Sequence, residues 1–225
     1  RELTGISNIS SIEVGSLVTG PLGVGREVYV TAKNEATGTL TLSAPLWGAP
    51  TSQSYTFRRF KYLLDMIGWQ NLQRFRIKSV EFLCAGRCSA LMLPIGGLVT
   101  QIEDCFFTGP KDRGITSAGT GCQGVQIDRN QFLSNEQNLR VQDRVSIAFN
   151  VNDGDAKIRN NRAVRFRHFG VIGGTGNIVS HNHFFQGDSE TDGLRSAGII
   201  FTQPNGKTTV VGNYIDNCCM EWGNE

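Results

Sequence analysis

The chain has 225 residues, of which 39% are hydrophobic and 19% charged, and its formal net charge is only +2. This composition excludes a disordered tail and is sufficient for one all-β domain or two smaller ones. A balance of 22 basic against 20 acidic residues provides no global field for nucleic acid. No apolar run approaches the roughly 20 residues that span a bilayer. We therefore expect neither a nucleic-acid partner nor membrane insertion.

The N-terminal part carries three segments in which apolar and polar residues alternate. They are IEVGSLVTG, REVYVTAKN and TGTLTLSAP, which begin at residues 12, 26 and 37 and are separated by Gly-rich or Asn-containing turns. Alternation with such turns is typical of antiparallel strands. Residues 1–57 are predicted to form a small antiparallel β subdomain, and residues 58–225 a second unit. Because the chain does not begin with Met, it is expected to be a piece of a longer protein.

From residue 77 onward, a six-residue pattern recurs. The segments IKSVEF, IEDCFF, IDRNQF, IRNNRA, VSHNHF and VVGNYI begin at residues 77, 102, 127, 158, 179 and 210. Within each segment apolar positions alternate with period two, which is typical of strands. A single coil of this length cannot bury its apolar side, whereas stacked coils share a continuous interior. The repeat predicts an all-β parallel β-helix.

Stacking at about 4.8 Å would place equivalent residues in columns along the helix axis. An aliphatic interior column would contain Ile77, Ile102, Ile127, Ile158, Val179 and Val210. A mostly aromatic column would contain Phe82, Phe107, Phe132, Ala163, Phe184 and Ile215. An asparagine ladder would contain Asn130, Asn161, Asn182 and Asn213. The ladder is expected at a tight bend, because Asn tolerates a left-handed backbone and its amide can bond to the next Asn.

The histidines and cysteines do not form a predicted metal site. His181 and His183 flank Asn182, but no Cys, Asp or Glu in their segment completes a ligand set, so both are predicted to be outward-facing surface residues. The six cysteines have no zinc spacing and are expected to be free thiols, buried except that at most one of the adjacent Cys218 and Cys219 can face the core, which favours a reducing compartment or a particle assembled in the cytoplasm. They are Cys84, Cys88, Cys105, Cys122, Cys218 and Cys219.

One coil contains a long connection between strands. Fifteen positions separate Phe184 from Ile199, against eight between Phe107 and Ile115. Extra residues are therefore expected to protrude within QGDSETDGLRS, residues 186–196. Long connections on a regular scaffold commonly carry function.

The long connection would lie beside turns of the neighbouring coils and form a lateral patch with them. The predicted glycan-binding residues of this patch are Arg165, Arg167, His168, Asp188, Glu190, Asp192 and Trp222, next to Glu221. An aromatic ring covers the apolar side of a sugar, while carboxylates and Arg bond its hydroxyl or acid groups. The alternative is that the acidic side chains of the long connection only face solvent and bind no ligand.

The ladder and the aromatic column resemble those of the pectate-lyase-like superfamily. The segments KDRGITS, GTGNIVSHNHFFQGD and TTVVGNYIDN are most similar to tailspike and tail-fibre proteins of phages and phage-like particles, including the gene transfer agents of alphaproteobacteria. This resemblance implies a right-handed, single-stranded parallel β-helix, a homotrimer, contacts with other tail or baseplate proteins, and bacterial surface polysaccharide as ligand. It also implies assembly in the bacterial cytoplasm and action outside the cell, in the particle's tail.

The same superfamily contains polysaccharide lyases and galacturonan hydrolases, so an enzyme is the alternative function. Of the hydrolase motifs only RIK, residues 76–78, occurs here. A lyase would need Ca²⁺, held by the three acids of the long connection beside Arg195 or Arg165. A hydrolase would need two carboxyls about 5 to 10 Å apart, for which the same acids with Glu221 or Glu136 are the candidates. We favour binding over catalysis and expect no cofactor unless the chain is a lyase.

Overall fold

The chain folds into two compact units, Arg1–Phe60 and Lys61–Glu225. The computed structural model describes residues 1–20, 28–46, 53–117, 121–133, 145–149, 153–166, 168–185, 197–216 and 219–222. The sequence predicted a boundary after residue 57. Among the described residues, no helix is long and apolar enough to cross a membrane.

The N-terminal unit is an antiparallel sheet of five strands in the order β1-β4-β3-β2-β5. Its strands are β1 (Glu2–Leu3), β2 (Leu17–Thr19), β3 (Val28–Asn34), β4 (Thr39–Leu42) and β5 (Thr56–Arg58). A short 3₁₀ turn spans Ile9–Ser11. Alternate residues of β3 and β4, among them Val28, Val30 and Leu40, are buried, as the alternating pattern predicted. The sequence analysis missed β1 and β5, the two edge strands.

The second unit consists of three parallel sheets that the chain visits in turn. The first sheet contains β7 (Arg76–Lys78), β10 (Gln101–Glu103), β13 (Gln126–Asp128), β16 (Lys157–Arg159), β19 (Ile178–Ser180) and β22 (Thr209–Val211). The second contains β8 (Glu81–Leu83), β11 (Phe106–Thr108), β14 (Gln131–Leu133), β17 (Arg162–Val164), β20 (His183–Phe185) and β23 (Tyr214–Asp216). The third contains β6 (Tyr62–Asp65), β9 (Ser89–Met92), β12 (Arg113–Thr116), β15 (Val145–Phe149), β18 (His168–Thr175), β21 (Ala197–Gly206) and β24 (Cys219–Trp222). This parallel β-helix architecture confirms the predicted fold class.

The register of the first two sheets places equivalent residues of the repeat opposite one another. Ile102 pairs with Ile77 and Ile127, and the row continues through Ile158, Val179 and Val210. Phe107 pairs with Phe82 and Phe132 in the second sheet, and that row also follows the predicted column to Ile215. Both predicted interior columns are confirmed.

The aromatic column is a stack of parallel rings interrupted at one position. The rings of Phe82, Phe107 and Phe132 lie 4.9 and 4.7 Å apart between centroids, with interplanar angles of 6° and 9°. This distance equals the strand spacing, so the rings stack because the strands do. Ala163 leaves the next position small, and Phe166 fills the space with its ring edge-to-face on Phe132 at 6.3 Å.

The asparagines form a continuous hydrogen-bonded ladder. Asn161 Oδ1 accepts from the backbone N–H of Asn130 at 2.9 Å and from its Nδ2 at 3.0 Å. Asn182 Oδ1 accepts in the same way from Asn161, and Asn213 Oδ1 from Asn182. Each of these Nδ2 groups also donates to a backbone carbonyl of the coil before, as that of Asn161 does to Ile127 at 2.9 Å. The ladder thereby satisfies polar groups that would otherwise be unpaired in the core.

The left-handed residue of each bend lies one position before the ladder position, which is Val80 or Cys105 in the first two coils and Asn in the others. The expectation that Asn itself is left-handed is wrong, because its side chain must point into the stack. The positive φ angles are those of Ser79, Asp104, Arg129, Asn160, His181 and Gly212, which range from 52° to 65°. The N–H of His181 donates to the next coil, to the carbonyl of Val211 at 3.0 Å.

Replacing Asn161 by Ala tests the ladder. The variant loses the acceptor for both Asn130 donors and the donor to Ile127, all in the core, so we expect a loss of about 3 kcal/mol in the free energy of unfolding. Asn213→Ala is the matched control: this residue is half-buried, and water can replace its bonds, so we expect about 1 kcal/mol. Urea denaturation measures both, and equal losses would contradict the ladder's role in stability.

Candidate functional site

The predicted lateral patch lies only partly within the described residues. Asp188, Glu190, Asp192 and Arg167 lie outside them, as do Arg195 and Glu136 of the enzyme alternatives. Their placement in the patch stays a prediction from the sequence.

The described patch residues fall at two different places. Arg165 follows β17, with φ of 62°, and donates its N–H to Phe185 in the next coil at 3.0 Å. His168 is the first residue of β18, so Arg165 and His168 lie at the two ends of the connection from the second to the third sheet. Glu221 and Trp222 instead lie in β24, opposite Ile200 and Phe201, and not in a turn.

A second long connection was missed by the sequence analysis. Fifteen positions separate Phe132 from Ile147, as many as separate Phe184 from Ile199. The register shows that Ile147 and Ile199 are equivalent, because both pair with Gly170. The long connections therefore enter the third sheet at β15 and β21, on either side of β18. The spacing of apolar residues in VSIAF, at 145–149, was the signal that could have revealed β15.

A groove of about 260 Å³ lies over this part of the third sheet. Its lining consists of Arg113, Ser117, Val145, Ala148, Phe149, Val171 and Thr202. These residues belong to or directly follow four consecutive strands, β12, β15, β18 and β21, so the groove runs along the stack for about 14 Å. It offers an apolar floor, one cation and two hydroxyl groups.

The predicted His168 lies close to this groove. In the register of the third sheet, Val145 pairs with Arg113 on one side and with His168 on the other. Arg113 and His168 are therefore two strand spacings apart, about 10 Å. Arg113 is exposed and His168 half-buried. This row of the third sheet brings a guanidinium and an imidazole to one edge of the groove.

An aromatic residue begins the same row. Tyr62 pairs with Ser89, whose Oγ accepts the backbone N–H of Arg113 at 3.1 Å. Burial raises the pKa of Tyr62, and the nearby Arg113 cation opposes that shift. Lys61 Nζ lies 5.5 Å from the centre of the Tyr62 ring, within cation–π range. At neutral pH the phenol is therefore a neutral donor beside two cations.

A buried carboxylate holds one of the groove hydroxyls. Ser117 Oγ donates to Asp153 Oδ2, and the backbone N–H of Cys122 donates to Asp153 Oδ1 at 3.0 Å. Asp153 is buried, and Gly174, with φ of 83°, passes so close that a Cβ there would overlap the Asp153 carbonyl oxygen. The Ser117 proton is thereby directed to Asp153, which fixes the orientation of this hydroxyl.

The outer face of the first sheet carries a network of charges. Arg129 lies 2.8 Å from Asp104 and 3.7 Å from Glu103, and it also contacts Asp128. The hydrogen bond from Arg129 lowers the pKa of Asp104. Opposite charges alternate along neighbouring strands, which is typical of cross-strand pairing on a solvated face.

The two histidines of the repeat occupy that outer surface of the stack. His181 is exposed, and the half-buried His183 packs edge-to-face on Tyr214 with 4.8 Å between ring centroids. Within the ranges the structure describes, no three His, Cys, Asp or Glu residues converge as metal ligands.

A larger cavity, of about 570 Å³, lies in the N-terminal unit. Its wall includes Tyr55, whose hydroxyl oxygen accepts a hydrogen bond from Gln53 Nε2 at 2.7 Å. Leu46 and Gln53, which also line it, flank residues outside the described ranges.

Cys122, whose backbone N–H bonds to Asp153, makes the free energy of unfolding sensitive to alkaline pH. Burial raises the pKa of its thiol to about 11 from an ordinary value of 9.0, and the negative charge of Asp153 acts in the same direction. A raised folded-state pKa contributes stability that is fully present below pH 9 and is lost as the pH rises toward 11. Between pH 9 and pH 11, the free energy of unfolding of the parent chain should therefore fall by up to about 3 kcal/mol more than that of Cys122→Ala. Denaturation at pH 7, 9 and 11 measures this, and parallel curves would contradict it.

Comparisons of the chain with protein-family models, curated proteins and solved structures find no match.

Proposed function

We propose that this chain is a carbohydrate-binding β-helix that holds bacterial surface polysaccharide in the groove of the third sheet. The single observation that carries the proposal is the composition of that groove: an apolar floor from Val145, Ala148 and Val171, with Arg113 at one edge and two hydroxyls. A sugar has an apolar face and a rim of hydroxyl groups, and this lining complements both.

The cation favours an acidic polysaccharide. A guanidinium forms paired hydrogen bonds with a carboxylate, and Arg113 is exposed beside the groove. Tyr62 and His168, in the same row of the third sheet, add a ring face and a further donor near it. An anionic sugar unit such as a uronic acid would fit this edge.

The β-helix supports binding because it preorganises the groove. The floor residues belong to parallel strands that also supply Ile147, Phe149 and Ile172 to the buried core. Little side-chain freedom is then left to lose when the ligand binds, so a modest contact area can give useful affinity.

In this proposal the chain is part of a receptor-binding tail fibre or tailspike of a phage or phage-like particle, such as a gene transfer agent. The support is the resemblance of its repeat segments to such fibres, together with the parallel β-helix architecture. A homotrimer, joined to other tail or baseplate proteins, would present three grooves to one cell surface. Weak individual contacts would then add through avidity.

Replacing Arg113 by Ala tests the groove. We expect the affinity for an immobilised acidic capsular polysaccharide to fall by about ten- to a hundredfold, because a desolvated ion pair is lost. Arg162→Ala is the matched control, since that arginine is exposed on the second sheet away from the groove. Biolayer interferometry against acidic and neutral capsular polysaccharides measures both variants. Equal affinities of the two variants, or no binding by the parent chain, would overturn the proposal.

Incubation of the parent chain with the same polysaccharides in solution distinguishes binding from degradation. New reducing ends would identify a hydrolase, and ultraviolet-absorbing unsaturated products would identify a lyase. We expect binding without either product.

Replacing Asp188, Glu190 and Asp192 together by Ala tests the predicted long connection separately. If these acids bond sugar hydroxyls, binding to neutral polysaccharide should weaken about tenfold with an unchanged melting temperature. Unchanged binding would remove the three acids from the site and leave the Arg113 groove in place.

A further inference from the structure

Two of the buried cysteines lie at the two ends of a short turn. Cys84 directly follows β8 and Cys88 directly precedes β9, and both belong to the buried core of the second unit. Three residues separate them, of which Ala85 and Arg87 are exposed and Gly86 is half-buried. The two buried thiols therefore flank an exposed turn in the connection from the second to the third sheet.

Backbone hydrogen bonds hold this turn closed. The N–H of Arg87 donates to the carbonyl of Cys84 at 2.9 Å, and the two residues between them have left-handed φ angles of 51° and 69°. Two left-handed residues inside such a bonded pair are typical of a tight type I′ turn. The turn is also bound to the next coil, because Lys111 donates its N–H to the carbonyl of Cys88 at 2.9 Å. The positions of both cysteines are therefore fixed by the backbone.

The thiols of Cys84 and Cys88 share a hydrogen bond. This bond, together with burial, raises the pKa of Cys84 and keeps its thiol protonated. Cys84 Sγ also lies 3.9 Å from the carbonyl oxygen of Phe82. Cys105 and Cys122 differ from this pair, because their thiols bond to backbone carbonyl oxygens at 3.1 and 2.8 Å.

We propose that Cys84 and Cys88 form an intrachain disulfide when the protein meets an oxidising environment, and that this bridge stabilises the turn between the second and third sheets. A disulfide needs two sulfur atoms in contact on a backbone that already holds them together, and the closed turn provides both. A protein that is assembled in a reducing cytoplasm and acts outside the cell, as the resemblance implies for this chain, would meet that environment on release. The proposal rests on the two thiols and is independent of the carbohydrate site.

A small-molecule disulfide is the oxidant in this proposal. Cys88 is 6% exposed and Cys84 1%, so the Cys88 thiolate attacks first, forms a mixed disulfide, and one small thiol leaves with the proton. The Cys84 thiolate then attacks the Cys88 sulfur, and the second small thiol leaves with the other proton. The cysteine pair is thereby oxidised by two electrons, and the small disulfide is reduced to two thiols.

Burial of the pair makes this reaction slow. The thiolate is the reactive form of cysteine, and the raised pKa of Cys84 keeps that form scarce at neutral pH. The pair is therefore expected to stay reduced in the cytoplasm and to form its bridge during long exposure to an oxidant.

Tryptic mapping of the folded full chain tests the bridge directly, because Arg87 lies between the two cysteines. The reduced protein is incubated with oxidised glutathione in mildly alkaline buffer, the remaining thiols are alkylated, and the digest is analysed by mass spectrometry. We expect the peptides 79–87 and 88–111 to stay linked and to separate on reduction. Fragmentation of the linked peptides distinguishes Cys88 from Cys105, which lies in the same peptide.

Two variants and a melting curve complete the test. Cys88→Ser should lose the link, and Cys105→Ala, the matched control, should keep it. The bridge closes a loop of five residues, Cys84 to Cys88, so the melting temperature of the oxidised parent chain should exceed that of the reduced chain by about 4 to 8 °C. Cys88→Ser should show no such rise.

Absence of the linked peptides from the folded parent chain would overturn the proposal. Formation of the link to the same extent in concentrated urea would also overturn it, because the folded turn would then contribute nothing. A link through Cys105, or an unchanged melting temperature of the bridged chain, would count against it as well. These measurements use the parent chain, so they decide the question even if Cys88→Ser fails to fold.

Discussion

The fold depends on hydrogen bonds between asparagine side chains of successive coils, which run along the axis of the β-helix. Asn161 and Asn182 each accept two hydrogen bonds from the coil before and donate two to the coil after, so polar groups at this buried bend are joined in a continuous chain of amides. Because the ladder fixes the register at the bend, the strands on both sides of it stack in register as well. The aliphatic row continues in the same register through Ile127, Ile158 and Val179.

The same constraint explains how a groove can form from residues far apart in sequence. Arg113 and Thr202 are separated by three coils, yet they line one groove because consecutive strands of the third sheet lie at a fixed spacing. The core packs tightly on one face of these strands, which leaves the other face free to vary. In this chain that face carries a cation, hydroxyls and small apolar residues, and the two long connections enter the sheet beside it. The regular scaffold supplies the rigidity, and the variable face supplies the proposed specificity.

Much of this fold could be predicted from the sequence because the repeat has period two within each segment and recurs with an asparagine at one position. The departures have physical reasons. Phe166 fills the space over Ala163, a compensation between two positions that a column of equivalent residues does not reveal. β15 was missed because VSIAF follows a long connection and lacks the six-residue pattern. The groove was missed because it consists of third-sheet residues, whose strands vary from four to ten residues and share no motif.

The most direct test of the central claim is a measurement of which amides are neighbours across the coils. Nuclear Overhauser contacts in a labelled sample should connect the amide groups of Asn130, Asn161, Asn182 and Asn213 in sequence, each Nδ2 with the side-chain amide of the next asparagine. The account predicts this single unbroken path together with parallel contacts along Ile102, Ile127 and Ile158. Contacts of antiparallel pattern, or asparagine side chains that are in contact only with solvent, would contradict it.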